Sequence, residues 1–262
     1  MLVALCLLLA CGRPAQALNP STRIAQYGHK IWRIGESGLD SSPKAIAQTT
    51  DGYIWVGTAN GLFRFDGIRF THWTPPVGER LPGQDVSQLF GARDGSLYVG
   101  TELGLARVTN GHVYDYPEKQ RLPGPFLEDS DNEIWMGQGD WEAGGQPRMF
   151  CKIGDLHISC ISKRDGFGCT RGFSIASEKP GSIWVGSEDS ICHWQAGEKP
   201  QTYPLNVGHS KSFSYVLALV ADQNGTIWGG GVITVRQGGC CNSPMDNGRV
   251  MSPRKLTVEH FL

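Results

Sequence analysis

The sequence predicts an all-β fold made of repeated four-stranded units. A short phrase centred on an aromatic residue occurs five times, and these residues are Trp55, Tyr98, Trp135, Trp184 and Trp228. They are separated by 43, 37, 49 and 44 positions. Short strands that recur at intervals of ~40–50 residues are typical of β-propeller blades. We therefore expect a β-propeller with about five recognisable four-stranded blades.

The first unit shows how one blade is encoded. Its alternating segments are 44–49, 53–58, 62–65 and 68–73. Asp51-Gly52 separates the first two segments and is a strong signal for a two-residue hairpin turn. In the second segment, Ile54 and Val56 lie on one face of the expected strand and Trp55 on the other. The unit is thus predicted to fold as four antiparallel strands in chain order.

The next units repeat this plan with increasing departures. The second follows it closely, the third carries an insertion at 139–146, and the fourth is regular. The fifth begins at Val216 and loses its alternation when Gly229-Gly230-Gly231 replaces the usual apolar-Gly-Thr sequence. We interpret 229–255 as a region of degraded pattern.

Both ends of the repeat series are incomplete. Residues 29–34 resemble an outer strand without inner partners, which would complete the last blade of a closed ring. Residues 256–262 resemble the first strand of a sixth unit. We therefore expect residues 18–262 to form a partial propeller that is truncated within a repeat, as in a fragment of a longer protein. The unpaired edge predicts marginal stability.

The N-terminal residues resemble an export signal. Leu2 to Ala10 is a continuous apolar run, and Ala15-Gln16-Ala17 has the small-x-small form of a signal-peptidase site. We expect residues 1–17 to be a signal peptide and the remainder to be periplasmic or otherwise extracytoplasmic. The alternative is a lipobox ending at Cys11, which would attach the protein to a membrane through a lipid.

Composition excludes some classes of partner and favours disulfides. The formal net charge is −1 and the basic residues are scattered, so we expect no nucleic-acid partner and no anionic membrane surface. Cysteines in an exported protein are more often disulfide-bonded than metal-ligating. Cys151 and Cys160 flank a predicted hairpin and are the first candidate pair, and Cys169 and Cys192 are the second.

The residues offer no catalytic, cofactor or metal site that we would assign. Asp51, Asp94 and Asp222 recur at turns, where Asp is favoured for local hydrogen bonding. The acidic cluster at 128–133 lacks the Gly and distal Glu of a calcium loop. The histidines, among them His72, His112, His157 and His193, fall on or beside predicted outer strands and are expected to be exposed.

The insertion in the third unit is the most site-like segment of the sequence. It contains Trp141 next to Glu142 on a loop between two strands. An exposed Trp beside a carboxylate is suited to stacking on a sugar ring. We take Trp141 and Glu142 as speculative ligand-binding residues, and the alternative is a loop whose Trp packs onto its own blade.

The phrase itself resembles the two-component regulator propeller repeat. It reads Asp51-Gly52-Tyr53-Ile54-Trp55-Val56-Gly57-Thr58-Ala59-Asn60-Gly61-Leu62-Phe63-Arg64 and occurs again from Asp94 to Arg107. The resemblance covers roughly residues 20–230, with two units matching almost fully. It implies the extracytoplasmic sensor region of a bacterial hybrid or sensor histidine kinase, followed in the complete protein by a β-sandwich, a transmembrane helix and a kinase.

The resemblance implies a ligand-sensing module that is not itself an enzyme. Its ligand would be an unknown small molecule or a carbohydrate, and the full-length protein would pair as a homodimer. The kinase would belong to the full-length protein, as would any membrane-spanning segment. The alternatives are a secreted propeller that acts as a carbohydrate- or protein-binding scaffold, and a propeller lyase or glycosidase.

Overall fold

A computed structural model describes residues 30–118, 123–138, 148–162, 165–169, 172–188, 190–204 and 212–235. The chain divides into two compact units, residues 1–33 and 34–262. Of the first unit only residues 30–33 are described, and there Lys30 Nζ lies 5.2 Å from the centroid of the Trp32 ring. The predicted signal peptide, residues 1–17, lies outside the described residues.

The second unit consists of short strands separated by turns. Its strands are β1 (Pro43–Gln48), β2 (Ile54–Thr58), β3 (Gly61–Phe65), β4 (Phe70–His72), β5 (Val86–Gly91), β6 (Leu97–Thr101), β7 (Gly104–Thr109), β8 (His112–Asp115), β9 (Pro123–Glu128), β10 (Ile134–Gln138), β11 (Arg148–Ile153), β12 (Ile158–Ser162), β13 (Ser174–Lys179), β14 (Ser182–Gly186), β15 (Ser190–Gln195), β16 (Gln201–Pro204), β17 (Ser212–Ala221) and β18 (Ile227–Val235). Within the described ranges, no helix is long and apolar enough to cross a membrane.

The strands form antiparallel meanders, and each meander is one blade. The sheets have the orders β1-β2-β3-β4, β5-β6-β7-β8, β9-β10-β11-β12 and β13-β14-β15-β16, and β17 pairs with β18 alone. The predicted all-β propeller architecture is therefore confirmed. Where four strands were expected in the fifth blade, the described residues provide two.

The hairpin between β1 and β2 differs slightly from the sequence prediction. The Gly52 N–H donates to the Thr49 carbonyl at 2.9 Å, and the Thr49 N–H donates to the Tyr53 carbonyl at 3.1 Å. The loop therefore contains three residues, 50–52, and not the predicted two. Gly52 has φ 88° and supplies the left-handed residue that such a loop requires.

Apolar side chains hold consecutive blades together. Trp55 and Leu62 of the first blade share a buried cluster with Val86, Leu89 and Leu97 of the second. Equivalent clusters join the second blade to the third, the third to the fourth, and the fourth to the fifth. The repeated aromatic residue thus faces the next blade, as its recurrence at a fixed position implies.

The repeated glycine of the phrase allows this close approach. A Cβ on Gly57 would lie 2.5 Å from Val86 Cγ1 and 2.8 Å from the Val86 carbonyl oxygen. A Cβ on Gly186 would lie 2.6 Å from Val216 Cγ1. Because real Cβ atoms do not approach so closely, glycine is required where one blade meets the first strand of the next.

Two predictions about the ends of the repeat series need correction. Residues 30–34 are not in a strand, in contrast to the predicted outer strand at 29–34. By contrast, β18 continues through Gly229, Gly230 and Gly231 to Val235, although the pattern was expected to fail at Gly229. The backbone hydrogen bonds between β17 and β18 do not depend on side chains. Gly231, opposite Val216, has no space for a side chain, because its Cβ would lie 1.9 Å from the Tyr215 carbonyl oxygen.

Candidate ligand-binding grooves between blades

The aromatic residue of most repeats is anchored by a side chain six positions earlier. Indole N–H groups donate at this spacing from Trp55 to Thr49 at 2.9 Å, Trp135 to Asp129 at 3.0 Å, Trp184 to Glu178 at 2.5 Å, and Trp228 to Asp222 at 2.9 Å. In the second blade the anchor position holds Ala92, whose side chain has no acceptor, and the aromatic position holds Tyr98, which has no indole N–H. A buried indole N–H requires a partner, which explains why the two positions change together.

This spacing refines the predicted role of Asp222. Asp51 and Asp94 lie four residues before their aromatic residue, whereas Asp222 lies six before Trp228. Asp222 Oδ1 accepts the backbone N–H groups of Asn224 and Thr226, each at 2.9 Å, and its Oδ2 accepts the indole. The indole and then the backbone hydrogen bonds lower the pKa of Asp222. It is therefore both a turn residue and an aromatic anchor.

A basic side chain (Arg, Lys or His) lies directly opposite the aromatic residue on the third strand of each complete blade. The cross-strand pairs are Trp55–Arg64, Tyr98–Arg107, Trp135–Lys152 and Trp184–His193. Directly opposed residues lie on the same face of a sheet, so these basic side chains face the clefts between blades. The spacing is nine residues except in the third blade, where the insertion lengthens it.

Arg107 is enclosed by partners in the cleft between the second and third blades. Its Nε donates to Ser96 Oγ at 3.1 Å, and its Nη1 donates to Asp155 Oδ1 at 3.1 Å. Asp94 Oδ2 lies 3.7 Å from Nη2. The guanidinium therefore joins the turn before β6 to the hairpin between β11 and β12.

Two buried tyrosines pack beside Arg107. Tyr116 is fully buried, and its hydroxyl donates to the Gly154 carbonyl at 2.9 Å. Burial raises the pKa of Tyr116, and burial also raises the pKa of Tyr98. Both phenols are therefore neutral near neutral pH and act as structural hydrogen-bonding groups in this cleft.

The fourth blade contains a serine, a histidine and a carboxylate in contact. Ser182 Oγ lies 2.7 Å from His193 Nε2 and donates to Glu178 Oε1 at 2.8 Å. A hydrolytic triad requires an exposed serine and a carboxylate on the opposite ring nitrogen of the histidine. Ser182 is fully buried and Glu178 approaches Nε2, at 4.0 Å, so this arrangement is suited to packing and not to acyl transfer.

The histidine predictions divide into two outcomes. His72 and His112 lie on the outermost strands β4 and β8 and are exposed, and His157 is exposed in the β11–β12 hairpin. His193 lies on β15, beside the outer strand β16, but its side chain is only 12% exposed and not exposed as predicted. It stacks on Trp184 with ring centroids 4.3 Å apart, because it is the cross-strand partner of that residue.

Grooves with polar rims lie over the first two clefts. The groove between the first and second blades has a volume of about 420 Å³ and is lined by Thr49, Thr50, Asp51, Trp55, Arg64, Trp73, Asp94, Gly95, Leu97, Val108, Thr109, Asn110 and Gly111. The groove between the second and third blades has a volume of about 310 Å³, and Arg107, Lys152, Glu133 and Asp155 are among its lining residues. We call them groove 1–2 and groove 2–3.

The cations of the two grooves differ in their partners. In groove 2–3, Arg107 contacts Asp94 and Asp155, and Lys152 forms an ion pair with Glu133. In groove 1–2, the Arg64 guanidinium stacks on the Tyr53 ring at 4.3 Å. Within the described ranges, no carboxylate lies within ion-pair distance of Arg64.

The structure joins Cys151 to Cys160 and Cys169 to Cys192 by disulfides, with Cα atoms 4.0 Å and 6.0 Å apart. Cys151 and Cys160 lie opposite each other on β11 and β12. Cys169 precedes β13, so its bond to Cys192 on β15 attaches the connection between the third and fourth blades. Cys151, Cys169 and Cys192 are buried, and Cys160 is partly buried.

The other predicted site segments have simpler outcomes. Trp141 and Glu142 lie outside the described residues, so their role in binding stays a prediction. In the acidic cluster, Asp129 Oδ1 accepts the backbone N–H groups of Asp131 and Glu133, and Glu128 accepts that of Arg93. Among the residues that the structure describes, no group of three or more His, Cys, Asp or Glu side chains could hold a metal ion.

The sequence comparisons identify the repeat. Residues 37–60 match the family model described as two component regulator propeller. No curated protein matches the sequence. The matched residues include β1, the turn at Asp51-Gly52 and β2, which is the segment that carries the aromatic residue and its anchor.

The structural comparisons support the same architecture. The extracellular domain of BT3049 from B. thetaiotaomicron, a protein assigned to the hybrid two-component systems, superposes with a TM-score of 0.59 at 16% identity, over 77% of this chain and 30% of that one. The corresponding domain of BT4673 gives 0.56 at 18%, over 75% and 27%. A catalytically inactive virginiamycin B lyase from Staphylococcus aureus gives 0.54 at 16%, over 73% and 64%.

These likenesses establish the fold alone, since the identities are low and the fold occurs both in extracellular domains of hybrid two-component systems and in a lyase. The chain spans less than a third of the length of the two hybrid-system domains. The family match adds the repeat itself. The chain therefore carries a two-component regulator propeller repeat, set in the first blade of a β-propeller fold that it shares with the extracellular domains of hybrid two-component systems.

Proposed function

We propose that this chain is the extracytoplasmic, ligand-sensing propeller region of a two-component sensor protein and is not itself catalytic. The observation that carries the proposal is the family repeat at residues 37–60, which the first blade contains and the later blades reproduce in their strand order. The fold likeness to hybrid-system domains supports the same conclusion without carrying it.

In this proposal residues 1–17 direct export and the propeller presents its grooves outside the cytoplasm. A ligand that binds one arrangement of neighbouring blades more tightly than another shifts the population towards that arrangement. The signal then passes to a kinase in the complete protein, which we expect to be a homodimer. Trp141 and Glu142, which lie outside the described residues, are part of the proposal as a further ligand-binding position for a small molecule or a carbohydrate.

Two measurements test the export and sensing parts separately. A fusion of residues 1–235 to alkaline phosphatase, which is active only after export, is expected to be active in a Gram-negative bacterial host. The same fusion without residues 1–17 is the control and is expected to be inactive. Equal inactivity of both fusions would contradict export.

The second measurement is the sequence of the transcript beyond the codon for Leu262. A frame that continues into an apolar span and a histidine-kinase domain would support sensing. A stop codon at that position would contradict it for this product and favour a secreted scaffold. A lyase or glycosidase would instead require turnover of a substrate by the purified chain.

A further inference from the structure

Groove 1–2 is an open site built from turns and strand ends of two blades. Its walls come from the turn after β1, from Arg64 on β3, from Trp73 after β4, and from the two turns of the second blade at Asp94-Gly95 and 109–111. Its volume of about 420 Å³ lies within the range of small-molecule sites, roughly 300–1,000 Å³.

The most informative feature of this groove is Arg64, which has no anionic partner among the residues that the structure describes. The register-equivalent residues of the next three blades are all engaged, Arg107 by Asp94 and Asp155, Lys152 by Glu133, and His193 by Ser182. Arg64 is exposed and held only against the Tyr53 ring, and no carboxylate in the described part of the chain lies within ion-pair distance of it. A stacked guanidinium retains its planar set of N–H donors for a carboxylate.

The same groove contains acidic groups from both blades. Asp51 is exposed and accepts bonds from Thr49 Oγ1 at 2.6 Å and the Tyr53 N–H at 3.2 Å through a single oxygen, Oδ1. Within the described residues, its Oδ2 accepts no hydrogen bond. Asp94 accepts from Ser96 through both oxygens, and its side chain is 54% exposed. Both carboxylates can therefore accept hydrogen bonds from a ligand.

An aromatic surface lies between these charges. Trp73 is half-buried and meets the buried Trp55 edge to face, with ring centroids 5.8 Å apart and planes at 79°. Leu97 and Val108 add apolar surface to the same lining. The groove thus combines an exposed guanidinium, two carboxylates and an apolar wall.

We propose that groove 1–2 binds a small zwitterion of the α-amino-acid type. Its carboxylate pairs with Arg64, its ammonium group with Asp51 and Asp94, and its side chain packs on Trp73. A simple acid would meet two carboxylates, and a simple amine would leave Arg64 unpaired, whereas a zwitterion satisfies both signs of charge. This proposal specifies the ligand class of the proposed sensor, so its biological role rests on the proposed function. Its test measures binding alone and does not depend on signalling.

The test uses the purified chain and isothermal titration calorimetry. The probes are the standard L-amino acids, together with 3-phenylpropanoate and 2-phenylethylamine, which each retain one of the two charges of L-phenylalanine. We expect at least one L-amino acid to bind, and L-phenylalanine to bind about tenfold or more tightly than either single-charge analogue. D-galactose is included as a neutral sugar.

Variants assign the binding to this groove. Arg64→Gln is expected to weaken amino-acid binding by about tenfold or more, since it removes a charge-assisted pair. Lys152→Gln changes the equivalent position two blades away, outside groove 1–2, and is expected to retain the affinity. Circular dichroism of both variants shows whether each is folded, and Asp51→Asn provides a second variant at an exposed position.

Several results would overturn the proposal. These are no binding of any L-amino acid, equal binding of L-phenylalanine and 3-phenylpropanoate, and amino-acid binding that survives both Arg64→Gln and Asp51→Asn. Binding of D-galactose that is lost in Arg64→Gln would show that the groove takes neutral sugars. None of these outcomes alters the fusion and transcript results, so failure of this site is distinguishable from failure of the sensing function.

Discussion

Groove 1–2 and groove 2–3 are built from the same strand positions but differ in how their charges are satisfied. In groove 2–3, Arg107 is enclosed by Asp94, Asp155 and Ser96, so the charges of the cleft serve to join two blades. In groove 1–2, Arg64 rests on Tyr53 without a carboxylate partner among the described residues. The repeat thus sets where a cation is placed, and neighbouring residues decide whether that cation is structural or available to a ligand.

Both grooves lie over clefts that are packed by the repeated aromatic residues. The largest expected effect on stability comes from removing one of these residues. Trp135 is 2% exposed and packs with Phe150, Ile175 and Ile183 between the third and fourth blades. Trp135→Ala is expected to lower the free energy of unfolding by about 3–5 kcal/mol, because it leaves a cavity in this cluster. Urea denaturation measures the change, and a loss below about 1 kcal/mol would contradict the role of the anchor.

The second prediction removes the acceptor instead of the aromatic ring. Asp129 is 3% exposed and accepts bonds from Asp131, Glu133 and Trp135. Asp129→Ala should lower the free energy of unfolding by roughly 2–3 kcal/mol, since it leaves buried N–H groups without partners. Near-UV circular dichroism should report the altered Trp135 environment. Thr49→Ala, which removes one indole acceptor, is the matched variant and should cost less.

The third prediction concerns the approach between blades. Gly57→Ala should destabilise the chain by roughly 1–3 kcal/mol, because the added methyl group would overlap Val86. Gly67→Ala is the contrasting variant. A Cβ at Gly67 would have no atom within 4 Å, so only the φ of 97° at this position disfavours alanine. Thermal unfolding of the two variants compares steric overlap with backbone strain. Equal midpoints for Gly57→Ala and the unmodified chain would refute close packing at this position.

The fourth prediction tests the difference between the grooves directly. Arg107→Met should cost about 1 kcal/mol, as it leaves Ser96 and Asp155 without their donor. Arg64→Met should change the free energy of unfolding by less than about 0.5 kcal/mol, because Arg64 is exposed and forms no ion pair in the described part of the chain. Chemical denaturation of both variants measures the two changes in the free energy of unfolding. Equal changes would contradict the distinction between a structural Arg107 and an Arg64 that is available to a ligand.

The smallest expected effect is a pH dependence in the fifth blade. The pKa of Asp222 is lowered by the Trp228 indole and then by backbone N–H groups, so its ionised form is favoured in the folded state. The resulting stabilisation is present above the ordinary carboxyl pKa and is lost as the pH falls through the lowered folded value. Asp222→Asn should flatten this acid limb of the stability profile, measured by Trp fluorescence. An unchanged acid limb would show that other carboxylates control it.

Local features of the propeller were predictable because they depend on residues close together in the chain. The Asp51-Gly52 turn and the outward-facing His72 and His112 follow from turn chemistry and strand alternation. The pairing of Trp55 with Thr49 also has a sequence signal, a polar residue six positions before each Trp, which became recognisable only with the hydrogen bonds known. The turn role predicted for Asp222 is confirmed, and its additional bond to the Trp228 indole was not predicted.

The features that were missed depend on contacts between strands and between blades. The sequence predicts His193 on or beside an outer strand with its side chain exposed, whereas its stacking on Trp184 depends on the register of β14 against β15. Side-chain alternation predicts a degraded pattern over 229–255, because three glycines interrupt the alternation at Gly229. Backbone hydrogen bonding to β17 continues there without side chains.

The sequence by itself determined the repeat, its period, the blade order and the family that its phrase resembles, because these follow from spacing along one chain. The tertiary structure decided which of the two arginines forms ion pairs within the described part of the chain. Arg64 and Arg107 occupy the same place in the repeated phrase, but within its own blade Arg64 meets Tyr53 where Arg107 meets Ser96. The third blade also brings Asp155 to Arg107, whereas no carboxylate in the described ranges lies within ion-pair distance of Arg64. Charge pairing depends on distances in space, and a repeat fixes those distances only within its own blade.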